Sequence, residues 1–436
     1  MNLEIFCQRS AIDWKAISYL ISSIIYGGRV TDAWDQRCLI TQFQRFFNTQ
    51  ILKDPCQFTK DNVYRTLNTN SLKEYQEYIE VFPLNETSAL FGMNEDANTT
   101  YLKNESNRFL QSLITVHPAS IGISEKTSGD SFILNLSSEI QKTINNRTLN
   151  VSKGKPLLFA VDEFARMHPL STVLIHEVDR FNKLLNVIQK SLDDLERAVK
   201  GLTVMSESLE EMFQSLIMNQ VPKVWKTISY ESQNTLSKWI NDLILRLNFF
   251  QTWLTQGFPK SYWLSGFYFP QGFITGVLQT FARKHVRPID ELYFRFEVLS
   301  VYRDEEDISR SLKALKFGED LPQDRLIKVP SDGILVHGIF MESFRWNDTR
   351  SEIEDQIIDR VHEQLPIVHM LPCTLAESKE AAEGSYVAPL YKTGERAGTL
   401  STTGISNNFI IEIPLPSRLP SDYWIQLGAA LLCEKL

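Results

Sequence analysis

The chain has 436 residues, of which 43% are hydrophobic and 22% charged, and this composition is typical of a folded protein rather than of a disordered segment. Its 53 acidic and 45 basic residues give a formal net charge of −8, which argues against nucleic acid or an acidic lipid surface as the main partner. At roughly 150 residues per domain, the length predicts two to four domains.

The cysteines and the N-terminal sequence favour a reduced, soluble protein. The five cysteines are scattered without a Cys-x-x-Cys pair that would suggest zinc or redox chemistry. The apolar stretch 17–25 resembles a leader, but Glu4 and Asp13 stand where a leader is basic, and residues 26–29 do not resemble a cleavage site. No apolar run reaches the roughly 18 residues that span a bilayer. We therefore expect reduced thiols and neither a signal peptide nor a membrane segment.

Residues 1–150 are predicted to form a small helical domain. Two helices are expected between residues 13 and 49, with Gly27-Gly28 as the turn between them. Thr31 is the expected cap of the second helix and Asp32 its first-turn acid. Shorter helical patterns follow and are separated by turns or by the Ser- and Gly-rich stretch 118–130; they cover residues 75–81, 110–116 and 133–144.

Residues 151–290 are predicted to form a helical bundle. Apolar residues recur at alternating steps of four and three, as in a heptad repeat, at Leu174, Val178, Phe181, Leu185, Ile188, Leu192, Leu195, Val199 and Leu202. An intermolecular coiled coil would use this pattern, but Gly201 and an apolar helix continuing to Met218 favour an intramolecular bundle. Bulky residues between Trp225 and Trp253 extend its core.

The run Trp263–Phe273, which we call the aromatic wedge, crowds five aromatic residues around two glycines and a proline. We expect it to be buried and sharply bent, because Pro270 removes a backbone donor and Gly266 and Gly272 permit φ values closed to other residues. The run contains no His, Cys, Asp or Glu. Internal packing is the favoured interpretation, and a binding groove is the alternative.

Residues 291–436 are predicted to form a β module. Apolar residues alternate with polar ones from Leu292 to Val298, which is the period of a half-buried strand. Further short apolar runs separated by turn residues cover 334–341, 366–371, 386–391, 409–413 and 429–433, whereas the acidic stretches 304–310 and 318–324 are expected to be solvated loops. The overall fold class predicted is α+β, ending in a small antiparallel β barrel.

No catalytic constellation is recognisable. Gly154-Lys-Pro156 lacks the first glycine and the hydroxyl residue of a phosphate-binding loop, so the acidic pair in Val161-Asp-Glu163 has no phosphate cradle beside it. The seven histidines show no metal-ligand spacing. The hydroxyl-rich segment Thr399–Gly404 fits a polar turn better than a phosphate nest. We therefore predict no catalytic, nucleotide-binding or metal-binding residues.

Several segments, in order along the sequence, resemble the C-terminal region of dynein heavy chains. The aromatic wedge resembles the family's Trp-[Ile/Leu]-Ser-Gly-Phe-[Phe/Tyr]-Phe-Pro-Gln signature. The other segments that resemble the family are Tyr26–Asp35, Phe91–Asn98, Thr172–Glu177 with Arg180–Leu185, Asp332–Glu342 with Arg345-Trp346, Pro389–Arg396, Gly398–Gly404 and Ser406–Phe409. The sequences of Trp34-Asp35 and of Leu400–Gly404 are more similar to those of axonemal than of cytoplasmic dyneins.

The resemblance implies the helical lid of the sixth AAA+ module over residues 1–150. It further implies the helical part of the dynein C-terminal domain over 151–290 and the β-barrel part over 291–436. In the family this region is non-catalytic and packs across a ring of six AAA+ modules, whereas the nucleotide sites, the microtubule-binding stalk and the tail lie N-terminal to it. The chain is thus expected to be a truncated product or a separately encoded remnant of such a heavy chain.

The implied role is to brace and regulate the AAA+ ring of a minus-end-directed, microtubule-based motor of cilia. The implied partners are the ring and other dynein chains, intermediate and light chains among them, with microtubules reached only indirectly and with neither nucleic acid nor membrane. No cofactor is expected in this chain, since ATP and magnesium are implied only for the other AAA+ modules. The expected location is the cytoplasm or cytoskeleton, in the ciliary axoneme. A free-standing protein- or ligand-binding module is the alternative.

Overall fold

The chain folds into a helical N-terminal part and a second part in which helices pack against sheets. The computed structural model describes residues 12–26, 29–52, 56–59, 63–69, 71–84, 86–94, 97–98, 101–102, 105–106, 108–110, 112, 123–145, 147–299, 329–357, 362–396, 398–400, 404 and 406–434. Within these residues, no helix is both long and apolar enough to cross a membrane. The predicted turn at Gly27-Gly28, most of the predicted helix 110–116 and both acidic stretches lie outside the described residues.

The N-terminal part contains three described helices: α1 (Trp14–Tyr19), which continues as a π-helical turn, α2 (Ala33–Phe46) and α3 (Leu72–Glu80). The two helices predicted between residues 13 and 49 are confirmed. The predicted cap is shifted by one residue, because Asp32 and not Thr31 caps α2 and Asp35 is its first-turn acid. An aspartate carboxylate is a strong acceptor for the free N–H groups of a first turn.

The middle of the molecule forms a helical layer. Its helices are α4 (Ile123–Ile144), α5 (Pro169–Val199), α6 (Glu207–Ile217), α7 (Lys223–Lys226), α8 (Leu236–Gln256) and α9 (Pro270–His285). Helix α4 begins inside the Ser- and Gly-rich stretch that was predicted to be a separator. The helix predicted to continue to Met218 is interrupted, because α5 ends at Val199 and Gly201 adopts a positive φ of 72°.

The heptad pattern lies along the buried face of α5. Its members from Leu174 to Leu195 are all buried, whereas Leu202, beyond the end of the helix, is 71% exposed. They pack within one core that also includes Trp225, Trp239 and Phe250. The intramolecular bundle is therefore confirmed over an intermolecular coiled coil, because the face that would bind a second copy is already covered.

In the part of the chain that the structure describes, the strands form two four-stranded sheets and a hairpin. They are β1 (Tyr262–Trp263), β2 (Leu292–Leu299), β3 (Ile334–His337), β4 (Phe340–Glu342), β5 (Phe344–Asn347), β6 (Glu352–Asp355), β7 (Ile367–Thr374), β8 (Ser385–Tyr391), β9 (Phe409–Pro416) and β10 (Ala430–Leu432). One sheet has the order β1-β3-β7-β2, the other has the order β4-β10-β8-β9, and β5 pairs with β6.

The α+β class is confirmed, but the predicted antiparallel barrel is not supported among the described residues. The two larger sheets are separate, and each contains one parallel pair, β1 with β3 and β10 with β8. Two short helices, α10 (Leu375–Ala381) and α11 (Ser421–Leu427), also interrupt the run of strands. Short apolar runs in the sequence indicate where strands lie but not which strands pair. The barrel prediction assumed antiparallel pairing, which is more common than parallel pairing but not general.

Substitution of Phe250, at the aromatic centre of the helical layer, tests how tightly this layer is packed. Phe250 is fully buried and its ring lies 5.2 Å from that of Phe181 and 5.6 Å from that of Phe267. We expect Phe250→Ala to lower the free energy of unfolding by about 3–5 kcal/mol, because the cavity left behind adds to the lost burial. Phe258, which is 40% exposed, provides the control: Phe258→Ala should cost much less in the same urea titration. Equal losses would contradict the packing.

Candidate functional site

The aromatic wedge joins the helical layer to the first sheet. Phe267 and Phe273 of the wedge, and Tyr262 immediately before it, are at most 5% exposed. The ring of Phe267 stacks on that of Phe273 at a centroid distance of 4.2 Å, and the ring of Tyr262 meets that of Trp253 edge to face at 5.2 Å. Offset-stacked and edge-to-face arrangements are the favourable ones for aromatic rings. The predicted internal packing is thus confirmed for Phe267 and Phe273.

The glycines of the wedge serve close packing rather than unusual backbone conformations. The prediction that they adopt φ values closed to other residues is wrong, because neither Gly266 nor Gly272 has a positive φ. A Cβ atom at Gly266 would instead lie 2.6 Å from Cε3 of Trp263, and one at Gly272 would lie 2.7 Å from Cδ1 of Phe269. Each glycine therefore makes room for an aromatic ring three residues before it.

The wedge ends at the first turn of helix α9, where Pro270 occupies a position that needs no N–H donor. The two preceding amides donate to the carboxylate of Glu177 on helix α5, at 2.5 Å for Tyr268 N and 3.1 Å for Phe269 N. Glu177 is 1% exposed and also accepts from Nη1 of Arg180 at 2.9 Å. Its carboxylate therefore connects two helices through the backbone of the wedge.

Burial and hydrogen bonding shift the pKa of Glu177 in opposite directions. Burial raises the pKa of its carboxyl group, while the two amide donors and the Arg180 guanidinium lower it. The ring of Phe269 lies under the same guanidinium, with Cζ of Arg180 5.3 Å from the ring centroid. A cation, a carboxylate and an aromatic face thus meet where the wedge turns into helix α9.

The outer edge of the wedge borders a cleft between helices α5 and α9. This cleft has a volume of about 420 Å³, and its walls include Arg180, Arg283, Gly272 and Phe269. Phe269 is 44% exposed. Only this edge of the wedge corresponds to the predicted alternative of a groove.

A buried arginine that the sequence did not single out supports the other side of the wedge. Arg246 on helix α8 is 7% exposed, and its Nε donates to Oδ2 of Asp242 at 2.6 Å. Its Nη1 donates to the carbonyl oxygen of Phe267 at 3.4 Å, and its Cζ lies 3.8 Å from the ring centroid of Tyr230. The only signal in the sequence was an Asp-Arg pair four residues apart in a strongly apolar helix.

The C-terminal residues contribute a second buried carboxylate. Glu434, 9% exposed, accepts from the backbone N–H of Gln233 at 2.9 Å and from Nδ2 of Asn234 at 2.7 Å, and the Ser232 hydroxyl also donates to it. Burial raises the pKa of Glu434, while the Ser232 hydroxyl, the Gln233 amide and Arg246 oppose the rise. The loop between helices α7 and α8 is fixed in this way to the segment that follows strand β10.

Helices α1–α3 meet the second sheet through helix α2. Oδ1 of Asp32 caps this helix at 2.9 Å from Trp34 N, while its Oδ2 accepts from Ser406 N at 3.1 Å. Nη1 of Arg37 donates to the carbonyl oxygen of Val387 at 3.0 Å. The rings of Trp34 and Phe409 lie 5.5 Å apart. One aspartate therefore both starts the helix and attaches it to the sheet.

The segments that superficially resemble phosphate or metal sites have structural partners. Nζ of Lys155, from the Gly-Lys-Pro segment, donates to the carbonyl oxygen of Gln256 at 2.7 Å. The carboxylate of Asp162 accepts from the backbone of Phe164 and from Arg166 within one turn. Thr399–Gly404 is described only in part. Among the described residues, no group of three His, Cys, Asp or Glu side chains is placed to hold a metal ion.

Two family models match almost the whole sequence. The AAA lid domain of the dynein heavy chain matches residues 1–97, and the C-terminal domain of the dynein heavy chain matches residues 103–433. The chain belongs to the dynein heavy chain family. The predicted resemblance is confirmed by the order of the two domains, which is the order in which the motifs occur along the sequence.

The similar dyneins are axonemal. Human dynein axonemal heavy chain 6 is 42% identical over 434 residues, which is 100% of this chain and 10% of that protein. Rat dynein axonemal heavy chain 1 is 36% identical over 97% of this chain and 9% of its own length, and rat dynein axonemal heavy chain 12 is 33% identical over 99% and 13%. The chain spans about a tenth of the length of the curated relatives it matches.

In this dynein heavy chain region, the contacts of Asp32 and Arg37 join the lid to the C-terminal domain. Helix α2 lies in the part matched by the lid model, whereas Val387, Ser406 and Phe409 lie in the part matched by the model of the C-terminal domain. Asn94 adds a contact at the other end of the lid, since its N–H donates to the carbonyl oxygen of Leu427 at 3.4 Å. The lid and the C-terminal domain are therefore held together at separate points.

The contacts between Glu177 and the wedge predict that removing this carboxylate lowers the stability of the fold strongly. We expect Glu177→Ala to lower the free energy of unfolding by about 3–5 kcal/mol, because two amides and a guanidinium lose a buried acceptor. Asp179, exposed on the same helix, is the matched control, and Asp179→Ala should change stability by about 0.5 kcal/mol or less. Urea titration of each variant measures the difference. A Glu177→Ala variant as stable as Asp179→Ala would show that the carboxylate does not hold the wedge.

The two roles of Asp32 can be separated by its asparagine variant. Asp32→Asn keeps an acceptor for the helix cap but places an amide donor against Ser406 N, so we expect a loss of about 1–2 kcal/mol. Among the described residues, the Asp13 side chain accepts a hydrogen bond only from Ala16 N, at 3.1 Å, so Asp13→Asn should be nearly neutral. Thermal melts and limited proteolysis of the lid measure both effects. Equal behaviour of the two variants would remove the attachment role from Asp32.

Proposed function

We propose that this chain is the non-catalytic C-terminal portion of an axonemal dynein heavy chain, a minus-end-directed, microtubule-based motor of cilia, and that it braces and regulates the AAA+ ring. Its family membership and its axonemal relatives support this function. Its partners are the AAA+ ring and, in the assembled complex, intermediate and light chains. It acts in the cytoskeleton of the ciliary axoneme and reaches microtubules only through the rest of the motor.

One observation carries this proposal: the lid is attached to the C-terminal domain through helix α2, while its helix α3 exposes apolar side chains. Helix α2 is fixed to the C-terminal domain by Asp32 and Arg37. Helix α3, in contrast, has no buried residue, and its Leu72 and Ile79 are 74% and 58% exposed. Exposed apolar side chains grouped on one element mark surfaces that a partner covers. A neighbouring AAA+ module is the partner that a lid domain would have.

We also propose that the chain itself holds no catalytic, nucleotide-binding or metal-binding residues. Neither Lys155 nor Asp162 is free for a phosphate or a magnesium ion, because each is bonded to backbone or to a neighbouring side chain. ATP and Mg²⁺ would act only at other AAA+ modules. We also propose a division of the chain at residues 150 and 290 into a lid, a helical part and a strand-containing part. Like the bracing role, this division rests on the membership in the dynein heavy chain family.

Co-purification with the ring tests the bracing role. The 436-residue protein is mixed with a separately expressed axonemal heavy chain ring that ends before this region, and association is followed by size-exclusion chromatography. We expect a stable complex and a changed ATP turnover of the ring, with no turnover by the 436-residue protein alone. Absence of both association and any effect on turnover would contradict the role.

The surface proposed for the ring is tested by a matched pair of variants. We expect Ile79→Asp to weaken association by at least about tenfold, because a buried aspartate without a partner is costly. It should leave the thermal melt unchanged, since the side chain is exposed. Leu245, also 58% exposed but on helix α8, is the control, and Leu245→Asp should bind the ring normally. Equal weakening by both variants would argue against the lid surface.

A further inference from the structure

The cleft between helices α5 and α9, which we call the arginine cleft, has an arginine at each end. Cζ of Arg180 lies 5.3 Å from the ring centroid of Phe269, just before helix α9 begins. Near the end of the same helix, Nη1 of Arg283 donates to the carbonyl oxygen of Met167 at 2.8 Å, just before helix α5 begins. The two helices therefore run in opposite directions along the cleft. From Gly272 to Arg283, helix α9 rises by about 16 Å.

The floor of the arginine cleft is formed where the two helices touch. A Cβ atom at Gly276 would lie only 2.9 Å from Cγ2 of Val173, so a glycine is needed for this close approach. Gly272 lines the cleft one turn earlier in helix α9. The volume of about 420 Å³ lies within the roughly 300–1,000 Å³ of most ligand sites. The cleft therefore has the size of a binding site.

Each arginine is held in place by one hydrogen bond and keeps further donors for a ligand. Nη1 of Arg180 donates to the buried carboxylate of Glu177 at 2.9 Å, and Nη1 of Arg283 donates to the Met167 carbonyl. In the part of the chain that the structure describes, no hydrogen bond engages Nε or Nη2 of either arginine. A guanidinium group that is already oriented loses less conformational freedom when it binds.

The charges of the arginine cleft favour an anionic ligand. Glu177 is the single carboxylate among the described residues that line it, and this group already accepts from two amides and from Arg180. Asp179 is exposed on the same helix but does not line the cleft, whereas the exposed His176 does. The whole chain carries a net charge of −8. The cleft is thus a positively charged site on an acidic protein, and a negatively charged partner complements it.

The separation of the two arginines favours a ligand with two distant charges. A phosphate ion or a single carboxylate is too short to reach both ends of a groove about 16 Å long. Two acidic residues five positions apart in an extended chain are about 16 Å apart, at roughly 3.3 Å per residue. The walls between the arginines carry the exposed side chains of Thr172 and Gln279, which offer donors and acceptors to a peptide backbone.

We propose that the arginine cleft binds an acidic segment of a partner protein in an extended conformation. One carboxylate of the segment bonds to Arg180, and a second carboxylate five residues away bonds to Arg283, through the guanidinium donors that the described part of the protein leaves open. Thr172 and Gln279 bond to the backbone between them. This binding requires no contact with an AAA+ ring, so its test is separate from that of the bracing role.

Titration of the full 436-residue protein with short peptides tests this site. The probe is acetyl-Glu-Gly-Val-Gly-Gly-Glu-amide, and the neutral probe has glutamine in place of both glutamates. By calorimetry at low ionic strength, we expect the acidic peptide to bind at least about tenfold more tightly, because charge-assisted hydrogen bonds are lost with glutamine. A third peptide with its two glutamates adjacent should bind more weakly than the probe, since it reaches one arginine. Equal binding of the three peptides would overturn the proposal.

Variants of the cleft connect peptide binding to this site. Arg283→Gln keeps a donor for the Met167 carbonyl but removes the charge, and should weaken the acidic peptide at least about fivefold. Thr172→Glu places a repelling carboxylate on the exposed wall, and should weaken it at least about tenfold with an unchanged thermal melt. Arg197, exposed on helix α5 outside the cleft, is the control, and Arg197→Gln should bind normally. Equal weakening by Arg197→Gln, or unchanged binding in both cleft variants, would overturn the site.

Other occupants of the cleft give different results in the same assays. Displacement of the peptide by an equal concentration of inorganic phosphate or of a single-stranded oligonucleotide would overturn the peptide assignment. Self-association of the protein that Arg283→Gln abolishes would assign the cleft to a second copy instead. A peptide of the acidic stretch 304–310 that binds more tightly than the probe would assign the cleft to this chain and not to a partner. Tight binding of the probe without any of these results supports the partner segment.

Discussion

The carboxylate of Glu177 is the interaction on which the arrangement of this domain depends. The backbone must leave the first sheet, pass through the aromatic wedge and enter helix α9, and along this path the amides of Tyr268 and Phe269 point toward helix α5. Glu177 accepts from both, at 2.5 Å and 3.1 Å, and its charge is balanced by Arg180. Without an acceptor there, the aromatic residues could not be buried on both sides of the turn, because buried amides need partners.

The same solution recurs at other junctions between segments distant in sequence. Asp32 attaches the lid to the sheet through Ser406 N, Arg246 reaches the wedge at the Phe267 carbonyl, and Glu434 fixes the Gln233 amide. Apolar packing supplies most of the stability, but it is non-directional. A charged side chain bonded to a particular backbone amide or carbonyl accepts far fewer alternative arrangements. We infer that these groups set the relative positions of elements that apolar packing alone leaves free to slide.

Helices and strands were predictable from the sequence where the apolar residues follow a single period. The buried face of helix α5 follows from the heptad spacing, and the alternation from Leu292 to Val298 corresponds to strand β2. Strand partners were not predictable, because the parallel pairing of β10 with β8 joins two strands that are not consecutive in the sequence. The roles of Gly266 and Gly272 were also mistaken: a sequence shows that a glycine is present, but only the neighbouring ring shows that space rather than φ is the reason.

The sequence by itself determined the family, the helix and strand positions with strong periodicity, and the aromatic wedge as a packing element. These are local properties, since they depend on spacing along the backbone and on residue types within one segment. Only the tertiary structure decided which acceptor meets the wedge amides, that Arg246 lies over Tyr230, and that Asp32 meets the Ser406 amide. Each of these joins residues from different segments, and the partner of a buried polar group is fixed by packing rather than by sequence spacing.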